Sequence, residues 1–556
     1  MAVVYMKKLE EEPDTYDEKF TTLTKGINRE IQEWILRKIK SGNSILEVGC
    51  GTGSLAAKMA ILGNNVVAID KNPQMIDFAM KDFPDEDNLQ LLYQIGSFSD
   101  YFVTEGSKDV IVNTFMLSEL RPFEQQAFLR YAWKTLKQDG RLLIGAEFVP
   151  SGFWKLPFKI RRWRFKKKIR RLKLRSTHLV RWFFNYLNPI GFKINTIKQW
   201  KHGSIKALEL IKINKNQNNE PGFYQPNPRN FRNFYSQLRI YRCIFTGQTD
   251  HVPIEPGIYQ SGNPTKNSPI IVTANYEFTY YKVMRDLEGI DAWVLCLDSD
   301  GINVWCAARG NNFGNAQLLE AINASGITNL TEQKTLILPQ LSAGGISIPE
   351  LPKKSQNFPF KVVYGPIWSK YLPEYIKDRP VRKPDYMKIA KFNIFHRIRA
   401  GITHTTFLFR KIFLIPIFAL LILFMLIGRL NQIWWIGEIS LNIIITNFLI
   451  SILFPLSNFT RKFIYKGIFF GLMNIIILGG IGWIIHNSII YILWHLGFYF
   501  WISYFSTMSF SGYSMATSPR EIQAEYPVFR PTNLTLIVIV FVLLLIIIVF
   551  KPINFI

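Results

Sequence analysis

Five apolar runs near the end of the chain constrain its fold more than any other feature. They cover residues 413–427, 436–454, 468–485, 489–505 and 534–550. Inside a bilayer every backbone polar group must be hydrogen-bonded within the protein, which restricts such runs to helices. With its flanking residues, each run is long enough to cross a hydrocarbon core of ~30 Å. The sequence therefore predicts an α-helical transmembrane bundle of about five helices within residues 405–556.

Basic residues flank these runs asymmetrically. The juxtamembrane segment 386–404 is rich in lysine and arginine, and so is the loop at 461–466 after the second run. Because positively charged loops stay on the cytoplasmic side, both segments are predicted to face the cytoplasm. We expect a multi-pass protein of the cytoplasmic membrane, with its soluble domains in the cytoplasm and its C-terminus outside.

The formal net charge of +25 is also unevenly distributed. It is concentrated at 155–175 and in front of the apolar runs, which favours anionic membrane lipid as a partner and argues against nucleic acid. Phe158, Phe165, Ile169 and Leu172 fall near one face of a helix at 155–175. This pattern predicts a membrane-surface helix, and the alternative is a solvated basic helix that covers the sheet.

A glycine-rich turn follows the first apolar strand of the chain. Glu47, Gly49, Gly51 and Gly53 form a Glu-x-Gly-x-Gly-x-Gly motif, and the next strand ends in Asp70, whose carboxylate can accept hydrogen bonds from ribose hydroxyls. The motif resembles that of class I S-adenosylmethionine-dependent methyltransferases, and the resemblance implies that Ser97 and Phe98 lie near the adenine. A Rossmann-like α/β methyltransferase domain is therefore expected at 1–215, followed by a linker at 216–234.

Alternating strands and helices occupy the middle of the chain. Strands are predicted at 269–274, 292–297, 334–338 and 361–364, with helices at 278–287 and 315–324 between them. This alternation predicts a second α/β domain at 235–385, built on a parallel sheet, with its ligands beyond the carboxyl ends of the strands.

One cysteine of this second domain is placed to bind a metal. Cys306 follows a predicted strand at the start of a helix, where the thiolate, the form that ligates metals, is favoured. For a lone cysteine, a small buried side chain is the usual alternative. No Cys-x-x-Cys pair is present, so an iron–sulfur cluster in this chain is not indicated and electrons must come from another protein.

The residues around Cys306 resemble a known family. Asn303–Ala308 reads Asn-Val-Trp-Cys-Ala-Ala, with Thr-Ala-Asn-Tyr at 273–276 and Leu-Pro-Gln-Leu-Ser-Ala-Gly-Gly at 338–345. Together these motifs resemble HgcA, the corrinoid protein of bacterial mercury methylation, over residues 239 to 556. The family motif continues with Gly-Lys, whereas this chain has Arg309-Gly310.

The resemblance implies a cofactor and a site. Cys306 would be the catalytic residue and the lower axial ligand of the cobalt of a corrinoid of the cobalamin type. Contacts to the corrinoid would come from residues matching the family motifs: Thr273, Ala274, Asn275, Asn303, Val304, Trp305, Ala307, Ala308, Gln340, Ala343 and Gly344. A ferredoxin-like protein with two [4Fe-4S] clusters is implied as the reductant.

Three functions fit these features. In the first, the methyl group of S-adenosylmethionine passes to Co(I) and then to a soft metal or metalloid acceptor, Hg(II) giving methylmercury. In the second, the first domain methylates a separate small molecule, and the corrinoid domain takes methyl from a folate-linked donor. In the third, the chain is a non-enzymatic membrane carrier of corrinoid, against which the intact glycines and Asp70 argue.

Overall fold

The protein is described here by a computed structural model. The structure describes residues 6–84, 90–171, 177–213, 220–227, 233–245, 252–310, 312–354, 358–378, 382–390, 392–426, 434–485, 489–509 and 519–550.

The first domain is built on a mixed sheet. Its strands are β1 (Ser44–Val48), β2 (Asn65–Asp70), β3 (Leu91–Ile95), β4 (Lys108–Thr114), β5 (Leu136–Glu147), β6 (Phe192–Trp200) and β7 (Ile205–Lys212), in the order β3-β2-β1-β4-β5-β7-β6. The pairs from β3 to β5 are parallel, and β7 runs antiparallel to both of its neighbours. Helices cover both faces of the sheet, which is why its central strands are almost continuously apolar. The Rossmann-like methyltransferase fold is thus confirmed.

The helices of this domain precede the sheet or alternate with its strands. They are α1 (Met6–Leu9), α2 (Pro13–Thr24), α3 (Ile27–Leu36), α4 (Ser54–Ile61), α5 (Pro73–Asp82), α6 (Pro122–Thr135), α7 (Lys155–Arg171) and α8 (Phe183–Ile190).

The basic segment forms α7, but its predicted apolar face is partly wrong. Phe158 is buried, and Arg162 is buried beside it, donating to Glu147 at 2.5 Å and to the carbonyl of Thr177 at 2.8 Å. That face therefore packs onto the methyltransferase domain, as the cover-helix alternative requires. Large apolar side chains are exposed elsewhere on this stretch: Phe153, Leu156, Ile160 and Trp163. The Phe165 side chain is half-buried, and the side chains of Ile169 and Leu172 lie outside the described residues.

Much of the predicted linker 216–234 lies outside the described residues, but the part at 220–227 is packed. Arg130 donates to the carbonyls of Pro221 and Gly222 at 2.8 and 2.7 Å, and its guanidinium lies 3.4 Å from the Phe223 ring centroid. Tyr224 is buried in the methyltransferase core. Two adjacent aromatic residues supply packing that the polar composition of the segment concealed.

The second domain has a sheet of its own. Its strands are β8 (Gly257–Ser261), β9 (Ile270–Ala274), β10 (Ala292–Leu297), β11 (Thr335–Leu338) and β12 (Lys361–Tyr364), in the order β12-β11-β9-β10-β8. The first four in that order are parallel, as predicted, and β8 joins β10 in antiparallel fashion at the edge. Strand β8, which is short and has no helix after it, was not predicted from the sequence.

Short and medium helices connect these strands and lead toward the membrane region. They are α9 (Phe234–Phe245), α10 (Glu277–Asp286), α11 (Val304–Arg309), α12 (Asn315–Ser325), α13 (Ile327–Leu330), α14 (Leu351–Lys354), α15 (Leu372–Asp378), α16 (Asp385–Lys388) and α17 (Ile394–Leu408). α10 and α12 match the two predicted helices within one residue at each end.

Helices occupy all five apolar runs. They are α18 (Leu414–Leu426), α19 (Trp434–Leu453), α20 (Phe463–Ile485), α21 (Ile489–Ser509) and α22 (Pro519–Phe550), and a π-helical turn at Phe409–Phe413 joins α17 to α18. Within the described residues, two stretches are long and apolar enough to cross a membrane, Ile436–Phe459 and Ala524–Ile547. The number of crossings remains a prediction. Two further segments, 511–513 and 518–525, were also expected to resemble the mercury-methylation family. Residues 511–513 and 518 lie outside the described residues, and residues 519–525 belong to α22.

The two soluble domains share a packed interface. Phe123 of α6 is buried among the core residues of the second domain, where α6 lies against α12. Burial and the neighbouring carboxylate of Glu124 raise the pKa of Glu320, on α12, to about 7. Glu320, at this interface, lines the cavity next to the glycine-rich turn, so the packing of the two domains shapes that cavity.

Candidate functional site

The glycine-rich turn between β1 and α4 is strained for any other residue. Gly49, Gly51 and Gly53 have φ angles of +77°, +57° and +76°, the left-handed region that glycine adopts without cost. A Cβ atom on Gly53 would also meet the Tyr93 hydroxyl at 2.7 Å, whereas one on Gly51 would meet nothing within 4 Å and would point into open space. Gly53 is thus a packing position and Gly51 borders the cavity.

Asp70, at the end of β2, fixes this turn. Its carboxylate accepts hydrogen bonds from the backbone N–H of Gly51 at 3.0 Å and of Asn72 at 2.9 Å. It therefore ties the glycine turn to the start of α5, while the rest of the carboxylate faces the cavity. A ribose at this strand end would meet an acceptor already held in place.

The cavity beyond this turn has a volume of about 380 Å³ and many carboxylates in its wall. Glu47 is 1% exposed, and its Oε2 has no hydrogen-bond partner. Burial, together with the negative charges of Asp70 and Asp17, raises the pKa of Glu47 well above its ordinary value. A cationic ligand such as S-adenosylmethionine would satisfy this buried acid, so the residues present fit the cofactor.

The predicted residues of this site converge on the cavity with one exception. Glu47, Gly49, Gly51, Asp70, Ser97 and Phe98 line it, and Gly53 lies behind it. Phe98 is buried and packs edge-on against Phe128 with ring centroids 5.5 Å apart. It offers a fixed apolar surface to a flat base.

Two parts of the cavity wall were not predicted from the sequence. Tyr16 and Asp17 enter from α2, and Glu320 and Asn323 enter from α12 of the second domain. Asp17 accepts a hydrogen bond from the Thr52 hydroxyl at 2.9 Å, which fastens α2 over the glycine turn. No pattern in the sequence marks these residues, because their positions depend on tertiary packing.

Cys306 lies in the first turn of α11 and is exposed. Asn303 caps the helix: its Oδ1 accepts from the Cys306 N–H at 3.0 Å, and its Nδ2 donates to the Cys306 sulfur at 3.4 Å. Ala307 and Ala308 are buried in the domain core. The cysteine is thus presented to the outside on a short helix whose other face is anchored.

Arg309, where the resembling family has glycine, packs on the neighbouring tryptophan. Its guanidinium carbon lies 3.3 Å from the Trp305 ring centroid, and burial lowers the pKa of Arg309 to about 10. Cys306 is nevertheless exposed. A chain with Arg309-Gly310 can therefore still offer the cysteine to a ligand.

A second cavity, of about 350 Å³, lies next to α11. Thr273, Asn303, Val304 and Trp305 line it, and Thr273 is 1% exposed with a hydroxyl that has no hydrogen-bond partner. A buried hydroxyl without a partner is costly unless a ligand satisfies it. The wall beside the Cys306 helix therefore fits part of a ligand such as a corrinoid, although Cys306 itself does not line this cavity.

The other residues predicted to contact the corrinoid do not line this cavity. Ala274, Ala307 and Ala308 are core residues. Asn275 is fully buried, donating to Asp298 at 3.0 Å and accepting from the N–H of Ser299 at 2.9 Å and of Gly301 at 3.1 Å, so it holds the ends of β9 and β10 together.

The remaining three lie on the turn after β11. Gln340, Ala343 and Gly344 belong to the short 3₁₀ helix Gln340–Gly344, which packs beside α11. Gln340 accepts a hydrogen bond from Lys383. Ala343 and Gly344 are exposed.

Two family models match the chain. A methyltransferase domain matches residues 45–140, and the CO dehydrogenase/acetyl-CoA synthase delta subunit matches residues 231–347. Neither match spans half of the chain. The first covers the glycine turn, Asp70, Ser97 and Phe98, and the second covers Thr273 and Cys306.

Known proteins are similar to only a part of the chain. The acetyl-CoA decarbonylase/synthase complex subunit gamma of Methanopyrus kandleri is 35% identical over 104 residues, 18% of this chain and 22% of that protein. The subunit gamma of Methanocaldococcus jannaschii is 33% identical over 108 residues, 19% and 22% of the two chains. The chain thus spans about a fifth of the length of these relatives.

Some solved structures are similar to about a third of this chain. A S-adenosylmethionine-dependent methyltransferase from Methanosarcina mazei is 19% identical, with a TM-score of 0.28, over 33% of this chain and 97% of that one. The cyclopropane synthase MmaA2 of Mycobacterium tuberculosis is 16% identical, with a TM-score of 0.30, over 34% and 84%.

The chain is therefore an enzyme with a methyltransferase domain and a second domain similar to the CO dehydrogenase/acetyl-CoA synthase delta subunit. Its two cofactors are S-adenosylmethionine and a corrinoid, as the sequence predicts.

Proposed function

We propose that this chain moves methyl from S-adenosylmethionine to the cobalt of its corrinoid, and from there to a soft metal or metalloid acceptor, with Hg(II) giving methylmercury. The corrinoid supplies a cobalt that takes up methyl as a cation equivalent and gives it up as a carbanion equivalent. One observation carries the proposal: Glu320 and Asn323, from the domain that holds Cys306, complete the wall of the S-adenosylmethionine cavity.

In the first domain, the residues hold the donor. Asp70 is positioned to accept from the ribose hydroxyls, and Glu47 to pair with the ammonium group of S-adenosylmethionine. Phe98 gives the adenine a fixed surface. An electron-rich cobalt brings its own electron pair, so the proposal needs no general base from this domain.

In the second domain, Cys306 is the proposed lower axial ligand. Its thiolate would hold the cobalt and donate charge to it, and the corrinoid would supply the chemistry that releases methyl with the bonding electron pair. The Asn303 amide, 3.4 Å from the sulfur, fixes the direction of the Cys306 side chain. Two electrons must return to the cobalt after each transfer, and we assign their delivery to a ferredoxin-like partner with two [4Fe-4S] clusters.

A second function has an observation in its favour. Among the described residues, the two cavities share no lining residue. The two ligands are therefore not placed in one common cavity. If methyl does not pass between the cavities, the first domain would methylate a separate small molecule, and the corrinoid would take methyl from a folate-linked donor.

One experiment separates these functions. Purified full-length protein carrying Co(I) corrinoid is mixed with S-adenosylmethionine labelled in its methyl group, and the label on the corrinoid is measured. We expect label on the corrinoid in the wild type and none in Gly51→Asp, which puts bulk and charge into the donor cavity. Donor binding without any labelled corrinoid would refute transfer to cobalt and leave the second function. Adding Hg(II) to the labelled protein and measuring methylmercury then tests the acceptor.

We also propose that α18 to α22 cross the cytoplasmic membrane, with both soluble domains in the cytoplasm. The proposal is supported by the five apolar runs and by the basic segments that flank them.

A further inference from the structure

The cavity beside Cys306 is closed on one side by the helix that leads into the membrane region. Arg399 and Thr403 of α17 line it, opposite residues that follow the strands β9 and β11. The Thr403 hydroxyl donates to the carbonyl of Arg399 at 3.0 Å, within the same helix. α17 thus contributes part of the wall of a cavity whose remaining wall comes from the second domain.

The interior of this cavity is apolar. Ile271, Val283, Ile337, Leu338 and Leu372 line it behind the Cys306 helix. A volume of about 350 Å³ is within the range of pockets that hold small organic ligands. The space therefore suits a flat apolar group better than water.

Two cations lie at the rim near α17. Lys282 lies 5.8 Å from the ring centroids of Phe278 and Trp368, and the guanidinium of Arg399 lies 5.7 Å from the same Phe278 ring. Among the described residues neither cation forms an ion pair. Burial and the nearby Arg399 lower the pKa of Lys282, since two like charges share a small space.

The carboxylate nearest to these cations is already occupied. Asp286 pairs with Arg285 at 2.8 Å and accepts from the Ser369 hydroxyl at 2.6 Å. The rim therefore keeps an excess of positive charge beside an apolar cavity. Two like charges held together in this way are stabilised by an anion bound between them.

Corrinoid chemistry supplies a ligand with these two properties. A cobalt has one lower axial position, and if Cys306 takes it, the base of the nucleotide appended to the ring is displaced from the metal. That nucleotide consists of a flat heterocyclic base joined to the ring through a phosphodiester, which is an anion.

We propose that the cavity holds the displaced nucleotide of the corrinoid, and that Lys282 and Arg399 bind its phosphodiester. The juxtamembrane helix α17 is then a part of the cofactor site. The proposal rests on the corrinoid cofactor and on Cys306 as its ligand, and it holds whether or not S-adenosylmethionine is the methyl donor.

The test compares two corrinoids on the full-length protein in a neutral detergent. Cobalamin carries the nucleotide, and cobinamide lacks both the base and the phosphodiester. Lys282→Gln and Arg399→Gln should each weaken cobalamin binding by about tenfold, the usual effect of losing a hydrogen bond to a charged group. Cobinamide binding should stay within twofold of the wild type, roughly the scatter of such measurements.

Controls separate this role from general charge and from folding. Lys377→Gln and Arg382→Gln remove exposed charges from the same domain and should leave both affinities unchanged. Arg399→Lys keeps the charge and should restore much of the lost cobalamin affinity. The wild-type preference for cobalamin should shrink as salt is added, and that salt effect should be smaller in Arg399→Gln.

Three outcomes would overturn the proposal. Equal losses for cobalamin and cobinamide would assign the cations to the ring or to folding. Unchanged cobalamin binding in both variants would show that no anion is bound there. A loss that is confined to binding of phosphatidylglycerol vesicles would assign the two cations to membrane lipid.

Discussion

Asp70→Ala tests the donor site through a side chain that both orders the glycine turn and faces the ligand. The carboxylate accepts two backbone hydrogen bonds, at 3.0 Å from Gly51 and 2.9 Å from Asn72. A hydrogen bond to a charged group contributes about 1.5–3 kcal/mol. Loss of the ribose contact alone should therefore weaken S-adenosylmethionine binding by about 10- to 100-fold, since 1.4 kcal/mol corresponds to tenfold. Disorder of the turn adds to this loss.

Calorimetric titration of the purified protein with S-adenosylmethionine measures the effect. The matched control is Asp77→Ala, which removes an exposed carboxylate from α5 and should bind as the wild type does. Corrinoid loading should be normal in both variants, because Asp70 lies in the other domain. If folded Asp70→Ala protein bound S-adenosylmethionine with wild-type affinity, the assignment of this cavity to the donor would be wrong.

Three further predictions concern other parts of the chain. Cys306→Ala should give bound Co(III) corrinoid a water-ligated spectrum and should slow methyl transfer to a soft metal far more than methyl loading. The control Cys296→Ala, at a buried position, should match the wild type. Equal losses in the two steps would exclude an axial thiolate. The raised pKa of Glu47 means that the folded state holds a proton that the unfolded state releases, so this group's contribution to stability is present below its ordinary pKa and is lost as pH rises toward the raised value. Melting temperatures of ligand-free protein should therefore fall less steeply above about pH 4.5 in Glu47→Gln than in the wild type, and parallel profiles would contradict this explanation. A tag on Ile556 should be cut by protease added to intact spheroplasts, since five crossings place it outside; protection of the tag would require an even number.

The sequence predicts those parts of the fold that depend on local pattern. The central parallel strands of both sheets are mostly apolar, and the glycines before α4 have the positive φ angles that favour glycine at those positions. The antiparallel edge strand β8 was missed because edge pairing leaves little local signal. The buried face of α7 was misassigned for a related reason: Arg162 is charged, and only the position of Glu147 makes its burial favourable.

The site residues also fall into two groups, those that a local motif predicts and those that only the packing of the domains places. Motifs identified the side chains that touch the cavities through their own strand ends, such as Asp70 and Thr273. They could not separate these from neighbours with structural roles, such as Asn275, whose amide is consumed by backbone and side-chain partners. Contributions from distant helices, Glu320 and Arg399 among them, depend on domain packing, which no local pattern encodes.

Helix α17 brings the cofactor cavity close to the apolar region. Ala400, next to Arg399, packs in one cluster with Ile450 and Phe454 near the C-terminal end of α19. If α19 crosses the bilayer, the cavity wall formed by Arg399 and Thr403 lies close to the membrane surface. A soluble electron carrier would then reach the cavity only from the side that faces away from the membrane, and a short flexible tether in place of α17 would remove that restriction on approach.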